Sequence, residues 1–383
     1  METIKKKIQV LVLITVMDRA GAETLMMNYL RNIDRSKIQM DFLINREGRA
    51  DYEDEIEQLG SKVYHMSPLY PGKFHLYKKE FRNFLRQHPE YRIIHSHLEE
   101  RSYFALKIAK EEGVPVRIAH AHSVPKGINL KMMMRLYFRK RLGKYYTHPF
   151  ACGEKPAKWL FGTTEDVTIM KNAIDTESFK YNKNTRYKIR KSLKIKENQM
   201  VVGHIGRFTQ EKNQLFLVEI FNEVNKQLPN SRLLLIGGGK PIAEIKYKEK
   251  VKNKVKEMGL NSKVQFLGVR EDIEKLMQGI DVLVMPSLSE GFPVTLVEAQ
   301  SAGIPCLVSD AVSNEVNVTG EMQYKSIEEE PIEWANKILS LMNTEVNREE
   351  MCETVAKSGL EVKENAKWLE KFYEDVLIKN RKE

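Results

Sequence analysis

Short β-branched runs alternate with helical stretches along this 383-residue chain, and that alternation restricts the fold more than any other feature. In the first half, Ile8–Met17, Ile38–Ile44, Ile93-Ile94, Val116–Ala119 and Pro149–Cys152 read as strands, with helices over Ala22–Ile33, Tyr52–Leu59 and Tyr103–Glu111. The series pauses at the polar stretch Asn172–Arg190. It resumes with strands at Met200–Ile205, Ser231–Ile236, Val264–Leu267, Asp281–Met285 and Cys306–Ser309, separated by helices at Gln214–Leu228, Ile242–Met258, Ile273–Gln278 and Val294–Ala302. The expected fold class is α/β: two doubly wound parallel-sheet domains facing a cleft, over residues 1–175 and 191–364, joined by a linker at 176–190. A tail helix over Asn365–Asn380 carries Trp368, Phe372, Val376 and Leu377 on one stripe, so 365–383 is expected to pack across the linker toward the first domain.

No apolar run approaches the roughly 20 residues that span a bilayer. Lys5-Lys6-Lys7 before Ile8–Met17 imitates a signal peptide, but the run is β-branched and Asp18-Arg19 put charge where a cleavage region is neutral. It reads as the first strand. Three widely spaced cysteines, Cys152, Cys306 and Cys352, suit reduced thiols in a cytoplasm. The net charge of +10 is lopsided: Met1–Lys180 holds 31 Lys and Arg against 22 Asp and Glu, and the remainder 31 against 30. A basic half joined to a near-neutral one predicts an anionic partner on the first domain.

Asp281–Asp310 reads as strand, loop, helix, strand, with Glu290 in the loop and Glu298 on the helix. Helical side chains lean toward the N-terminus, so Glu298 points back toward the loop that carries Glu290. The first helical amides, near Val294, Thr295 and Leu296, lack intrahelical partners and form an anion site. Two carboxylates for sugar hydroxyls and free amides for a phosphate would then share a crevice at the C-terminal ends of parallel strands.

Gly206-Arg207-Phe208-Thr209-Gln210-Glu211-Lys212 follows the second domain's first strand, where Arg207 and Lys212 could neutralise a diphosphate leaving group. Gly237-Gly238-Gly239 permits close backbone approach but lacks the full dinucleotide fingerprint. In the first domain, Asp18–Glu23 places Gly21 where backbone amides could approach a phosphate or sugar. His95 and His97 end one strand and His120 and His122 another; one of them serves sugar recognition or a proton relay, or all are simply hydrogen-bonded at strand ends. Without a carboxylate or cysteine beside them, no metal site is expected. Lys126–Lys144 interleaves Lys131, Arg135, Arg139, Lys140 and Arg141 with Met and aromatic residues and holds no acid. That composition suits an anionic membrane surface. No nucleic-acid-binding motif is present.

Ser289–Pro305, SEGFPVTLVEAQSAGIP, resembles the E-x7-E signature of retaining GT-B glycosyltransferases of family 4. Gly206–Gln214 is similar to that family's diphosphate loop, and Asp18–Glu23 to its N-terminal glycine loop. The resemblance extends over nearly the whole chain and is closest to bacterial exopolysaccharide and capsule enzymes. It implies two Rossmann-like domains, the first on the acceptor and membrane side, the second binding a nucleotide sugar. It also implies no metal and no cofactor beyond a donor that is UDP-linked. By motif, Arg207 and Lys212 grip the diphosphate beside Gly206, and Glu298 the ribose. Glu290, with amides at Gly291 and Phe292, holds the donor sugar, and Gly21 approaches from the other domain. The family's cleft histidine is assigned to His122, then His97. Ala22 and Ala173 stand where glycine is common in the family. The implied activity is retaining transfer of a sugar to a lipid-linked saccharide, by an enzyme peripheral on the inner face of the cell membrane. A sugar-nucleotide epimerase of the same fold, or a non-catalytic scaffold, stays open as an alternative.

Overall fold

Alternate side chains of strand β1 (Ile8–Ile14) enter different cores: Val10, Val12 and Ile14 one, Leu11 and Leu13 another. A strand buried on both faces must be covered by helices on both sides, which is why its sequence is apolar without a break from Val10 to Ile14. The computed structural model describes residues 7–19, 21–125, 130–238, 241–342 and 347–379. Lys5, Lys6, Ala20, Lys126 and Gly239, and the side chains of Leu130 and Lys131, lie outside that description.

The chain divides into two units: residues through Ala173 together with Val362 onward, and Ile174–Glu361. In the first, β2 (Ile38–Ile44), β3 (Val63–His65), β4 (Ile93–Ser96), β5 (Val116–Ala121), β6 (His148–Ala151) and β7 (Thr168–Ile169) join β1 in the order β3-β2-β1-β4-β5-β6-β7, all parallel. In the second, β8 (Met200–Ile205), β9 (Ser231–Ile236), β10 (Val264–Gly268), β11 (Val282–Met285), β12 (Cys306–Ser309) and β13 (Gln323–Lys325) run in the order β10-β9-β8-β11-β12-β13, again parallel. Each sheet reverses its winding beside its first strand, between β1 and β4 and between β8 and β11. Open parallel sheets take ligands at the C-terminal side of such a switch.

Two expectations change. Residues 176–190 are not an extended linker: they form the helix Thr176–Phe179 and most of the helix Lys183–Ser192, inside the second unit. Arg190 is fully buried there, donating to the Asp281 carboxylate at 3.2 Å and to the carbonyls of Gly279 and Lys196 at 3.2 and 3.1 Å. The tail helix, Val362–Lys379, belongs to the first unit and packs on the helix Gly21–Asn32. Its buried face includes Val362, Ala366, Leu369 and Tyr373 with the expected Val376 and Leu377; Phe372 is partly buried against the same core, and Trp368 stays 39% exposed. Tyr373 supplies the reason, because its hydroxyl reaches a buried histidine.

All three cysteines are free and buried. Gly303, just past the helix Val294–Ser301, has φ +62°, the left-handed C-terminal residue its sequence position predicts. Among the described residues no helix is long and apolar enough to cross a membrane.

Candidate active site

The C-terminal edge of the second sheet gathers the residues singled out after β8 and β11. Beyond β8 the backbone turns at Gly206, whose amide donates to Ile236 O of β9 at 2.9 Å. Gly237, at φ +128°, lies so close that a β-carbon there would stand 2.1 Å from the Gly206 carbonyl oxygen. Only glycine permits this approach of two loops. A 3₁₀ turn at Gln210–Lys212 and a left-handed Asn213, at φ +55°, then lead into the helix Gln214–Gln227.

This loop is tied to the one after β11. The Leu288 amide donates to Glu211 O at 2.7 Å, and Lys212 Nζ lies 2.6 Å from Glu290 Oε1. The pair is largely buried, which strengthens the attraction relative to a surface pair. Arg207 is 58% exposed and donates through Nη1 to Glu244 Oε1 at 3.0 Å, on the helix Ile242–Glu257. Burial lifts the Glu244 carboxyl above its ordinary range, against the pull of Arg207. A brace beneath holds both loops: His204 Nδ1 donates to Val284 O of β11 at 2.9 Å. Gln214 Nε2 meets His204 Nε2 at 3.2 Å and donates to Arg207 O at 2.8 Å. Glu244, His204 and Gln214 escaped the sequence reading. Their partners are 37, 80 and 10 or 7 residues away, so no spacing announces them.

Glu298 sits on the helix after β11. Burial first, then the Glu274 carboxylate, push its carboxyl up to about 7. Near neutral pH it can therefore both donate to and accept from hydroxyls. Of the three amides expected to bind an anion, that of Leu296 already donates to Pro293 O at 3.0 Å, and the Leu296 side chain is in the core. The first helical turn consumes that amide, so it is withdrawn from the anion site. Those of Val294 and Thr295 have no backbone partner among the described residues. Gly291 is exposed with open space around it, and Phe292 packs against the core.

In the first unit, Gly21 opens the helix Gly21–Asn32 with open space about its α-carbon. The four histidines are brought together on one face of β4 and β5, and their rings stack at centroid distances of 4.2–5.2 Å. His97 Nδ1 lies 2.7 Å from His122 Nε2, and His95 Nε2 lies 3.0 Å from His120 Nδ1. Burial drives all four toward the neutral form, His95 to about 3 and His122 to about 4. Glu99, at φ +52°, accepts the amides of His122 and Ser123 at 3.0 Å each, fixing the backbone at the exposed end of the row. The ligand nitrogens of His95, His97 and His120 lie within 4.8 Å of one another.

The basic stretch forms the helix Leu130–Leu142. Two of its cations are engaged inside the protein: Arg135 Nε lies 3.3 Å from Glu100 Oε1, and Arg139 stacks 4.8 Å from the Trp159 ring. Leu142 is buried. Met133, Met134, Leu136 and Tyr137 are exposed beside Lys140 and Arg141.

Two Rossmann-like parallel sheets, of seven and six strands, with charged loops at the switch point of the second, define the GT-B class. The solved structure of Anabaena Alr3699/HepE in complex with UDP and glucose has the same fold, with a TM-score of 0.73 at 19% identity over 97% of each chain. The family description "Glycosyl transferases group 1" matches residues 185–359. EpsF of Bacillus subtilis (strain 168), which carries the name of a glycosyltransferase, is 33% identical over 366 residues, 93% of this chain and 94% of its own. The Escherichia coli UDP-Gal:alpha-D-GlcNAc-diphosphoundecaprenol alpha-1,3-galactosyltransferase is 28% identical over 241 residues, 61% of each chain. This chain belongs to the group 1 glycosyltransferases.

Proposed function

We propose that the protein transfers a sugar, with retained anomeric configuration, from a nucleoside diphosphate to a lipid-linked saccharide in the assembly of an extracellular or capsular polysaccharide. The observation that carries this reading is the Lys212–Glu290 pair, which ties two loops together at the switch point of the second sheet. A diphosphate arriving there meets Lys212 and the exposed guanidinium of Arg207, and exchanges their carboxylate partners for phosphate oxygens. Released from Lys212, the Glu290 carboxylate accepts from hydroxyls of the sugar, with the Gly291 and Phe292 amides beside it. Glu298 takes the ribose. The UDP-Gal donor and diphosphoundecaprenol acceptor in the name of the E. coli relative support the donor and acceptor classes.

In the transfer, the bond from the anomeric carbon to the β-phosphate oxygen breaks as the acceptor oxygen bonds to that carbon on the same face. The acceptor's proton passes to the departing phosphate. Arg207 and Lys212 stabilise the charge that grows on the diphosphate, and stronger binding of that charge than of the ground state is what lowers the barrier. Two fixed cations do this work, so turnover persists in EDTA. His122, with His97 as the alternative, is the histidine read as serving the sugar being transferred. The helix Leu130–Leu142 rests on an anionic cytoplasmic membrane surface through Met133, Leu136 and Tyr137 with Lys140 and Arg141. Nucleotide sugars screened for release of the nucleoside diphosphate test the proposal: slow hydrolysis of one donor, accelerated by a lipid-diphosphate-linked sugar, is the expected result. Donor isomerisation without acceptor, or a glycosyl adduct on Glu290, would overturn it.

A further inference from the structure

Two His-x-His pairs with no cysteine or carboxylate beside them predict no metal site when read along the chain. The register of the first sheet changes that reading. Residues two apart at a strand end share a face, and β4 runs beside β5 with His95 opposite Ile118 and Ser96 opposite Ala119. The same register carried one step on sets His97 against His120, and their ring centroids lie 4.8 Å apart. One ring nitrogen from each of His95, His97 and His120 lies within 4.8 Å of the other two.

These three side chains are interior, His95 and His120 at 0% exposure and His97 at 6%. Buried polar atoms are ordinarily paired. Here the Nε2 atoms of His97 and His120 have no hydrogen-bond partner among the described residues. The other nitrogen of each ring is engaged: His97 Nδ1 lies 2.7 Å from His122 Nε2, and His120 Nδ1 lies 3.0 Å from His95 Nε2. His95 Nδ1 in turn lies 2.8 Å from the hydroxyl oxygen of Tyr373. A neutral imidazole carries its single hydrogen on either nitrogen. With that hydrogen on Nδ1, each of the three rings has a neighbour to receive it and keeps a lone pair on Nε2. Metal-ligating histidines are held in this way, the second nitrogen donating to an acceptor that fixes both tautomer and ring orientation.

We infer that His97 Nε2 and His120 Nε2, with His95 Nε2 as third ligand, form a binding site for a transition-metal ion of the zinc class. The donor set decides the class. Calcium and magnesium ask for oxygen ligands, whereas imidazole nitrogens suit zinc, copper, nickel and iron. Around a tetrahedral ion with bonds of about 2.0–2.1 Å, ligand nitrogens stand about 3.3 Å apart. The rings therefore close in by about 1.5 Å at most, which side-chain rotation supplies. Entry of the ion exchanges the His95–His120 hydrogen bond for a metal–nitrogen bond and gives partners to both orphaned nitrogens. The fourth position is left to water. The ion would cross-link β4 and β5 within the first unit. It takes no part in the proposed transfer, whose cations Arg207 and Lys212 belong to the second unit, so the two readings stand or fall separately.

The test is titration of the full chain, stripped of metal by dialysis, with Zn²⁺ in competition with a chromophoric chelator. A single tight equivalent is expected at micromolar zinc. Zinc-edge X-ray absorption of that complex should show three imidazole nitrogens at about 2.0 Å. His97→Gln combined with His120→Gln should weaken binding by more than about a hundredfold, the upper cost of losing a mere outer-shell partner. No saturable binding by the wild type, or an oxygen-dominated shell, would overturn the site. The tight equivalent kept by the double variant would also overturn it, placing the ion on other histidines. If the double variant does not fold, the absorption spectrum of the wild type decides. A chain that binds zinc here but transfers no sugar would sink the transferase reading and leave the site standing; an active enzyme that takes up no zinc would do the opposite.

Discussion

Lys212 and Glu290 stand 78 positions apart, and their charged atoms lie 2.6 Å apart. The pair keeps a partly buried ammonium at the end of β8 from going uncompensated.

Replacing Lys212 by Ala should lower kcat by about tenfold to a thousandfold, the usual cost of a lost transition-state donor. Arg207→Ala should behave alike. Steady-state kinetics on the preferred nucleotide sugar measure both, and wild-type rates in either would refute the leaving-group role. Glu290→Gln should raise KM for the donor sugar while the free nucleoside diphosphate still binds.

Arg190→Leu should destabilise the second unit by about 3 kcal/mol, because it strips Asp281 of a buried partner and orphans several carbonyls. Arg186 still donates to Asp281 at 2.6 Å, so the loss should stay at the low end for such a pair. Denaturant titration of the variant against wild type reads the difference.

Stability should fall on acidification below pH 6.5. His95, His97, His120, His122 and His204 are held neutral by burial, their folded pKa values lying below the ordinary 6.5. The unfolded chain takes up protons there that the folded chain refuses. Each such histidine removes about 1.4 kcal/mol per pH unit until about pH 4, where His122 and His204 begin to titrate in the fold. Glu99 and Glu298 are both raised to about 7 and oppose the trend between pH 4.5 and 7, but two carboxyls do not outweigh five histidines. Thermal melts across pH 4.5–7.5 should show the midpoint rising with pH; a flat profile would mean the rings are solvated.

The helix Leu130–Leu142 should bind vesicles containing anionic lipid and ignore neutral ones. Met133 and Tyr137 are 70% and 50% exposed, and burying them in an interface is worth about 1–2 kcal/mol each. Met133→Asp with Tyr137→Asp should therefore weaken co-sedimentation at least about tenfold while leaving turnover of a soluble acceptor intact. Equal binding by the double variant would place the membrane contact elsewhere.

The sequence by itself determined the repeated strand–helix alternation, and through it the two parallel sheets, because a strand buried on both faces must be apolar throughout. It also marked the loops that carry Arg207, Lys212 and Glu290 and the helix that carries Glu298, since charge and glycine at strand ends are local signals. The edge strands Val63–His65, Thr168–Ile169 and Gln323–Lys325 left no such trace, being too short to hold an apolar run. Only the tertiary structure decided which carboxylate each cation meets, that Arg190 of the polar stretch is interior, and that Tyr373 rather than Trp368 turns inward. Those outcomes depend on partners tens to hundreds of residues away, and a buried polar group is recognisable only once its partner is beside it.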